Sequence, residues 1–357
     1  MQKRVFDGSI DYIQIMDEEG NIDSSLMPKD ISDELILKMY RNMALARAFD
    51  AKALSLQRQG RIVTYAPLLG QEATQIGSGM AMRDSDFFVP NFRQHALYLI
   101  KGLPIENMFI SLRGFEDGAK APQGFRGFPV AVPVGSQVPH AVGLAYALKY
   151  KKTGSAVVSY VGDGGTSEGD FSEGINFAGV WKVPLVMIIE NNQWAISIPR
   201  KNQTAAVTLA QKAFAAGLEG LQVDGNDVIA VYKTIRDAIN LAAQNEPQVI
   251  ECVTYRLGLH TTSDDPNKYR SPEETKEWER RDPMVRVRKY LTKKGLWNEE
   301  TEQKMADEYR ELIDTGVAKA EAFKPDPKSM FEHIYSFMPE TLKQEEDDAA
   351  ASNYWQQ

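Results

Sequence analysis

The middle of the chain alternates short apolar runs with longer amphipathic stretches. Residues 155–162 and 184–190 are apolar runs of strand length, and the second is typical of a strand buried on both faces. The stretch between them places apolar residues three and four positions apart, as an amphipathic helix does. The same is true between the runs at 221–223 and 248–256. This strand–helix–strand order predicts an α/β fold, with a mostly parallel sheet flanked by helices.

The pattern changes towards both ends of the chain. Residues 1–33 contain only short apolar pieces, so we expect an extended N-terminal arm there. Residues 34–272 hold the alternating pattern and should form the α/β domain. Charged amphipathic segments then predict a helical extension over residues 273–340. Residues 341–357 are acidic and polar, and we expect a mobile tail there.

Composition narrows the class of protein. Of 357 residues, 43% are hydrophobic and 25% are charged, as in ordinary globular proteins. Lysine and arginine number 41 against 49 acidic residues, and the net charge of −8 argues against a nucleic-acid-binding platform. Cys252 is the only cysteine, which excludes an intrachain disulfide and favours a reducing compartment. We find no apolar run of membrane-helix length and no targeting peptide, so we expect a cytoplasmic protein without membrane partners.

Polar residues follow two consecutive strands of the predicted sheet. Asp163 stands between glycines at the end of the first strand, and Asn192 follows the second. Adjacent parallel strands bring such residues to the same edge, where open α/β sheets bind ligands. A carboxylate and an amide oxygen suit Mg²⁺, which completes its shell with phosphate and water oxygens. The helix that begins near Thr166 offers free N–H groups to a phosphate. Either segment alone could be a turn, but the joint pattern predicts a metal and phosphate site.

The segment from Gly162 to Asn192, GDGGTSEGDFSEGINFAGVWKVPLVMIIENN, resembles the thiamine diphosphate motif, which starts with GDG and ends with NN. Four more segments resemble, in the right order, the alpha subunit of the decarboxylating component of 2-oxoacid dehydrogenase complexes. They are YAPLLGQEATQIG, FRQHALYLIKGLP, VGSQVPHAVGLAYALK and YRLGLHTTSDDPNKYR. The resemblance implies the thiamine diphosphate-binding fold, and within it the half that binds the diphosphate.

The same resemblance implies roles for residues of the central motif. Mg²⁺ would be held by the side chains of Asp163 and Asn192 and by the backbone oxygen of Trp194. The diphosphate of the cofactor would lie along the backbone of Gly164 and Gly165. Thiamine diphosphate and Mg²⁺ are therefore the expected cofactors.

Residues outside the motif complete the implied cofactor site. Arg93 would bind the diphosphate, because its planar fork suits phosphate oxygens. Val132 and Val134 would contact the aminopyrimidine through backbone groups. His260 would be the catalytic residue, near the diphosphate and the reacting centre, and could help the acyl group pass to a lipoyl arm. The family usually has tyrosine before this arginine; Phe92 keeps the ring but cannot donate a hydrogen bond.

A polar loop follows His260. In the family this loop orders around the bound cofactor, and Arg256, Asp264, Tyr269 and Arg270 would brace it. A solvated surface turn is the alternative interpretation, although loops carry function disproportionately.

Three acids stand near the start of the helix after the motif: Glu168, Asp170 and Glu173. Acidic residues at this end of a helix are favoured by its dipole, which is a sufficient structural reason for them. We also hypothesise that one of them faces a subunit interface and carries protons between active sites.

The expected activity is that of the family: oxidative decarboxylation of a 2-oxoacid, with transfer of the acyl group to the lipoyl group of a dihydrolipoyl acyltransferase. The acid that activates the cofactor belongs to a beta subunit in this family, so the expected active form is an alpha2–beta2 heterotetramer. The segment YAPLLGQEA resembles bacterial pyruvate dehydrogenases, whereas TSEGD and HTTSDD resemble branched-chain relatives as much. Pyruvate is the first expectation, and a branched-chain 2-oxoacid follows closely.

Two other classes of function remain open. Ser167 lies in GTSEG, which matches the G-x-S-x-G nucleophile elbow of α/β-hydrolases, but three residues separate this turn from the end of the strand. A non-catalytic scaffold subunit that kept the fold is the other alternative. The chain has no P-loop sequence, and four scattered histidines without H-E-x-x-H argue against a zinc hydrolase.

Overall fold

A computed structural model describes residues 1–326 and 328–352 of the chain. Its core is a six-stranded parallel sheet in the order β1-β7-β8-β4-β3-β2, and β5 and β6 form a separate antiparallel hairpin. The strands are β1 (Tyr12–Ile13), β2 (Phe87–Val89), β3 (Val157–Gly162), β4 (Leu185–Asn191), β5 (Trp194–Ala195), β6 (Ile198–Pro199), β7 (Glu219–Asp224) and β8 (Gln248–Val253).

Twelve α-helices surround this sheet in the described part of the chain. They are α1 (Asp33–Arg58), α2 (Glu72–Ala81), α3 (His95–Ile100), α4 (Ile105–Leu112), α5 (Gln137–Tyr150), α6 (Gly169–Trp181), α7 (Val228–Ala242), α8 (Pro272–Glu279), α9 (Pro283–Lys293), α10 (Glu299–Ala322), α11 (Ser329–Glu332) and α12 (Glu340–Ala351). None of the described helices is long and apolar enough to cross a membrane.

The central strands are buried on both faces, which explains their continuous apolar sequences. Val158 of β3 packs into one core with residues of α1, α2 and α7, whereas Val157 packs into a second core with residues of α5 and α6. Alternate side chains of a strand point to opposite faces, so both faces must be apolar here. The predicted α/β fold with helices on a parallel sheet is confirmed.

Strand β3 pairs in parallel with β4, and Gly162 lies opposite Glu190 in the register. The residues that follow both strands therefore leave the sheet at the same edge. The carboxyl ends of β7 and β8 reach this side too, because all strands of the sheet are parallel. This edge is where the polar motifs of the sequence come together.

The predicted arm contributes to the sheet. Its Tyr12–Ile13 segment pairs with β7 as the edge strand β1, and Ile15 and Met16 are buried in the core. The backbone N–H groups of both residues donate to a carboxylate oxygen of Asp227, at 2.7 and 2.6 Å. The arm is therefore attached by hydrogen bonds as well as by apolar contact.

Helix α1 begins where the sequence indicates. The hydroxyl of Ser32 accepts a hydrogen bond from the N–H of Leu35 at 3.2 Å, and Gly60 follows the helix with a φ of +72°. A residue with positive φ after a helix is most often glycine, since it has no Cβ to clash.

The C-terminal region is helical, with α8 and α9 separated by a turn before Pro283. Helix α12 begins at the last residue of the predicted helical extension and covers residues 341–351 of the expected tail, and its Leu342 is 9% exposed. Residues 353–357 lie outside the described part. The division into arm, domain, extension and tail stays a prediction.

Candidate active site

Asp163 lies at the end of β3 and is 2% exposed. Its Oδ2 accepts a hydrogen bond from Nε2 of Gln203 at 2.9 Å, and its carbonyl accepts from the hydroxyl of Thr166 at 2.7 Å. Burial raises the pKa of Asp163 to about 6. Removal from water disfavours the charged form of a carboxyl group, and a cation held beside it would reverse that effect.

Asn192 follows β4 and begins the turn into the β5–β6 hairpin. Its Oδ1 accepts from the backbone N–H of Trp194 at 3.2 Å, and its Nδ2 donates to Oε1 of Gln71 at 2.9 Å. The carbonyl of Trp194 accepts from Arg256 at 3.1 Å. Among the described residues, no group of three or more histidine, cysteine or acidic side chains could hold a metal. A cation at this edge therefore depends on amide and carbonyl oxygens besides Asp163.

The turn after Asp163 is packed too closely for side chains. A Cβ on Gly164 would lie 2.6 Å from the Cβ of Ala195, and a Cβ on Gly165 would lie 2.5 Å from Val161. Packing against the hairpin and β3 therefore requires glycine at both positions, which leaves the backbone of the turn without side chains. The side chain of Val134 borders the same turn, 3.2 Å from the Cβ position of Gly165.

Two guanidinium groups meet above this edge. Arg93 is 3% exposed and Arg256 is 0% exposed. Arg93 donates to the carbonyl of Pro67 at 2.5 Å and to that of His260 at 3.0 Å, and Arg256 donates to the carbonyl of Ile196 at 2.7 Å. Neither forms a salt bridge in the described chain, whereas the buried Arg286 does. Burial and the Arg256 charge lower the pKa of Arg93 to about 10. Buried cations without a partner are costly, so this pair fits an anionic ligand.

His260 lies between the two arginines. Its Nδ1 is 3.2 Å from Nη2 of Arg93 and 3.1 Å from Nη1 of Arg256. Guanidinium groups only donate, so Nδ1 must accept and the ring proton must sit on Nε2. Burial and the two positive charges lower the pKa of His260 to about 4. The imidazole is therefore neutral at pH 7, and its ring packs edge-on against Phe92 at a centroid distance of 5.9 Å.

The loop after His260 forms one hydrogen-bond network. Oδ2 of Asp264 accepts from the backbone N–H of His260 at 2.8 Å and from the hydroxyl of Tyr269 at 2.5 Å, and that hydroxyl accepts from Arg256 at 2.8 Å. Arg270 donates to the carbonyl of Arg256. Burial opposes ionisation of Asp264, but these hydrogen bonds hold its pKa below the usual value. Hydrogen bonds thus link the four loop residues named from the sequence into one chain, from Arg270 through Arg256 and Tyr269 to Asp264.

The three acids after the motif lie away from this buried centre. Glu168 and Glu173 are exposed, and Asp170 is half-buried in the first turn of α6. The exposed side of the same helix carries Phe177 and Trp181, whose rings are 4.6 Å apart. The acids and the aromatic residues therefore share one solvent-facing helix.

Val132 and Val134 are 71% and 51% exposed, and both precede α5. Val134 borders the glycine turn, at 3.2 Å from the Cβ position of Gly165. The side chains of both valines lack a covering layer within this chain, which is consistent with a surface that a ligand or a partner subunit covers.

Ser167 is exposed and ends the short 3-10 turn Gly164–Ser167. A nucleophile elbow places its serine directly after the strand, but β3 already ends at Gly162. Nδ1 of His260 faces the arginines, and no hydrogen bond of the described residues joins Ser167 to a histidine. The geometry does not support a serine hydrolase.

Three site residues were not identified from the sequence. Gln71 and Gln203 contact Asn192 and Asp163, and the carbonyl of Pro67 holds Arg93. Gln71 and Pro67 lie within YAPLLGQEATQIG, a segment whose resemblance to the family assigns no role to its individual residues. Nothing in the local pattern around Gln203 distinguishes it from an ordinary loop residue.

Comparison with known proteins assigns the family. Residues 40–328 match the family model described as dehydrogenase E1 component. The chain is 41% identical over 338 residues to the pyruvate dehydrogenase E1 component subunit alpha of Staphylococcus aureus, covering 94% of this chain and 91% of the relative. The corresponding protein of Staphylococcus epidermidis is 40% identical with the same coverage. The chain therefore belongs to the dehydrogenase E1 component family, which depends on thiamine diphosphate.

Proposed function

We propose that this chain is the alpha subunit of a 2-oxoacid dehydrogenase that uses thiamine diphosphate and Mg²⁺ and acts on pyruvate. The observation that carries the proposal is the placement, around one sheet edge, of a buried carboxyl of raised pKa and two buried guanidinium groups that form no salt bridge with the described residues. Such a site suits a diphosphate with its cation. The names of the relatives favour pyruvate over a branched-chain 2-oxoacid.

Asp163, Asn192 and the carbonyl of Trp194 would hold Mg²⁺. Arg93 would bind the diphosphate, and the backbone of Gly164 and Gly165 would line it. Glycine at both positions is compatible with this role, since a turn without side chains lets a phosphate approach the backbone, although packing against Ala195 and Val161 also requires glycine there. These groups fix the position of the cofactor and compensate its charge.

The reactive end of the cofactor would lie near the loop that begins at His260. Val132 and Val134 would contact the aminopyrimidine through their backbone, and Phe92 would place its ring beside His260. When bound, thiamine diphosphate supplies a nucleophilic carbon and an electron sink for decarboxylation. Because Nδ1 of His260 accepts from arginines, its Nε2–H is the group that can donate to the diphosphate or to the reacting acyl oxygen.

A beta subunit would complete the active site, in an alpha2–beta2 heterotetramer that passes the acyl group to a lipoyl-bearing dihydrolipoyl acyltransferase. The exposed aromatic side of α5 and α6 supports assembly with a partner. The ring centroids of Tyr146 and Trp181 lie 5.1 Å apart on this side, and Val180 is 67% exposed. An apolar patch of this kind is typical of an interaction surface. A cytoplasmic location stays a prediction, supported by the single, buried Cys252.

The test of this function is reconstitution with a beta subunit of the same type. We expect no turnover by the chain alone and decarboxylation of pyruvate by the reconstituted pair, with acyl transfer to an isolated lipoyl domain. A pocket that fits extra methylene groups discriminates by only about 1–3 kcal/mol, so 3-methyl-2-oxobutanoate belongs in the same assay. Faster turnover of that substrate would contradict the pyruvate assignment. Turnover by the single chain would contradict the need for a beta subunit.

A scaffold role is the alternative that this assay separates. A scaffold would retain the fold without binding the cofactor. Calorimetric titration of the reconstituted pair with thiamine diphosphate, with and without Mg²⁺, should show saturable binding that strengthens with the metal. Absence of binding in both titrations would favour the scaffold.

For the acids near the start of α6, we propose a path for protons between active sites. The partial exposure of Asp170 and the exposure of Glu168 and Glu173 place them where a partner subunit could cover them. We expect E168Q, D170N or E173Q to slow turnover of the reconstituted pair about 100-fold, the lower end of the range for general acid–base groups. Cofactor affinity should stay unchanged. If all three variants turn over at the wild-type rate, the path is refuted.

A further inference from the structure

The two side-chain oxygen donors of the candidate metal site are each held by a glutamine. Gln203 lies in the loop after the β5–β6 hairpin and contacts Asp163, and Gln71 immediately precedes α2 and contacts Asn192. The two glutamines come from loops that are distant in sequence. They contact residues that follow the neighbouring strands β3 and β4 at the same edge of the sheet. Neither contact belongs to the regular hydrogen bonding of a helix or strand.

The orientation of Asn192 follows from its neighbours. The backbone N–H of Trp194 can only donate, so the atom it meets at 3.2 Å must be the amide oxygen of Asn192. The amide nitrogen then faces Gln71, which must present its own oxygen in return, at 2.9 Å. Gln71 is 0% exposed, and its Nε2 has no hydrogen-bond partner in the described structure. A fully buried amide with an unpartnered donor is costly, unless a ligand supplies an acceptor.

The contact with Asp163 has a complementary form. Nε2 of Gln203 donates to Oδ2 of Asp163 at 2.9 Å and to the carbonyl of Ile198 at 3.2 Å, so both of its hydrogens are engaged. The Ile198 contact ties the amide to the hairpin. One carboxylate oxygen of Asp163 is thus held by an amide donor, and Oδ1 carries no side-chain hydrogen bond in the described chain. The hydrogen bond from Gln203 restricts the rotation of the Asp163 carboxylate and leaves Oδ1 available to a metal ion.

We propose that Gln71 and Gln203 are positioning residues that orient Asn192 and Asp163 for Mg²⁺. This inference rests on the proposed function, since it takes those two side chains as ligands. Residues that orient metal ligands by hydrogen bonds raise affinity, because the ligand then loses little rotational freedom on binding. The buried Nε2 of Gln71 remains available to an acceptor of the metal-bound ligand, such as a phosphate oxygen.

The test measures metal affinity directly in the reconstituted pair. Mn²⁺ replaces Mg²⁺ as the probe, and free Mn²⁺ is followed by electron paramagnetic resonance in the presence of thiamine diphosphate. Methionine approximates glutamine in volume but has no amide, so Q71M and Q203M remove the contacts with little change in packing. Q222M is the matched control, because Gln222 on β7 donates to Glu251 on β8 at 3.0 Å and contacts the side chain of neither Asp163 nor Asn192.

We expect Q71M and Q203M to raise the Kd for Mn²⁺ by about 10- to 100-fold, the usual effect of losing a residue that orients a metal ligand. The Kd of Q222M should stay near that of the wild type. Turnover of Q203M should recover at high Mg²⁺, which a general loss of packing would not produce. Gln203 is only half-buried, so Q203M should fold even if Q71M does not. In that case the Kd of Q203M for Mn²⁺ alone tests the positioning role.

A Kd for Q203M equal to that of the wild type would overturn the inference. A different result would count against the proposed function instead: if the wild-type pair binds no Mn²⁺ with thiamine diphosphate present, the assigned ligands are wrong. The two failures are therefore separated by the behaviour of the wild-type protein.

Discussion

Replacing Arg93 with methionine is expected to weaken thiamine diphosphate binding about 100-fold or more. A hydrogen bond to a charged group contributes about 1.5–3 kcal/mol, and each 1.4 kcal/mol corresponds to a tenfold change in Kd. The loss of two such bonds from the guanidinium fork therefore accounts for about 100-fold or more. Arg93 is 3% exposed, and no carboxylate of the described residues lies at salt-bridge distance from it, so its charge remains available to an anionic ligand. Calorimetric titration of the reconstituted pair at a fixed, saturating Mg²⁺ concentration measures the effect.

The conservative variant and a surface control make this prediction specific. R93K keeps a positive charge but loses the planar fork that two phosphate oxygens require, so its Kd should fall between those of the wild type and R93M. R41M removes an arginine that pairs with Glu308 at 2.9 Å, with side-chain exposures of 40% and 46%, and should leave the Kd unchanged. Wild-type affinity in a folded R93M variant would show that the diphosphate binds elsewhere.

Replacing Arg286 with methionine is expected to lower the free energy of unfolding by about 3–5 kcal/mol, the usual effect of breaking a buried ion pair. The Arg286 side chain is 1% exposed and donates to Oδ2 of Asp224 at 2.7 Å and to the carbonyl of Met16 at 2.9 Å. It joins α9 to β7 and to the arm. Its loss leaves the carboxylate of Asp224 buried without a cation, next to the buried acid Asp227. Denaturant unfolding of the single chain measures the change.

A neighbouring surface pair supplies the control. Lys289 contacts Glu19 at 2.9 Å, with side-chain exposures of 38% and 68%, so K289M should cost less than about 1 kcal/mol. Hydrogen exchange should also speed up in the arm of R286M, around Ile15 and Met16. Adding D224N to R286M removes the buried carboxylate that has lost its cation, and should restore part of the free energy of unfolding. A loss in R286M no larger than in K289M would contradict the assigned role of this ion pair.

The fold could be predicted where burial is two-sided. Strands β3 and β4 were evident because both of their faces are covered by helices, which requires continuous apolar sequence. Strand β1 has two residues and β2 has three, so neither is long enough to show the alternation of apolar and polar residues that marks a strand. The β5–β6 hairpin was missed for the same reason. These elements form through pairing with a partner strand rather than through their own pattern.

The candidate site was only partly predictable. Asp163 and Asn192 could be placed at one edge, because parallel strands of consecutive βαβ units end there. The contact of Arg93 with His260 could not be predicted from spacing, since 167 positions separate them along the chain. Gln203 gave no signal either, because a glutamine in a polar loop looks like any other solvated residue.

The sequence by itself determined the layer architecture and the polar residues at the carboxyl edge, since both follow from local period and from the rule of parallel strands. The tertiary structure alone decided which side chains form hydrogen bonds with one another and which charges lie close together. Nδ1 of His260 accepts from two arginines because the segment of Arg93 meets the segment that carries both Arg256 and His260, 167 residues further along the chain. Burial and direction of hydrogen bonds depend on that convergence, and no local pattern along the chain encodes them.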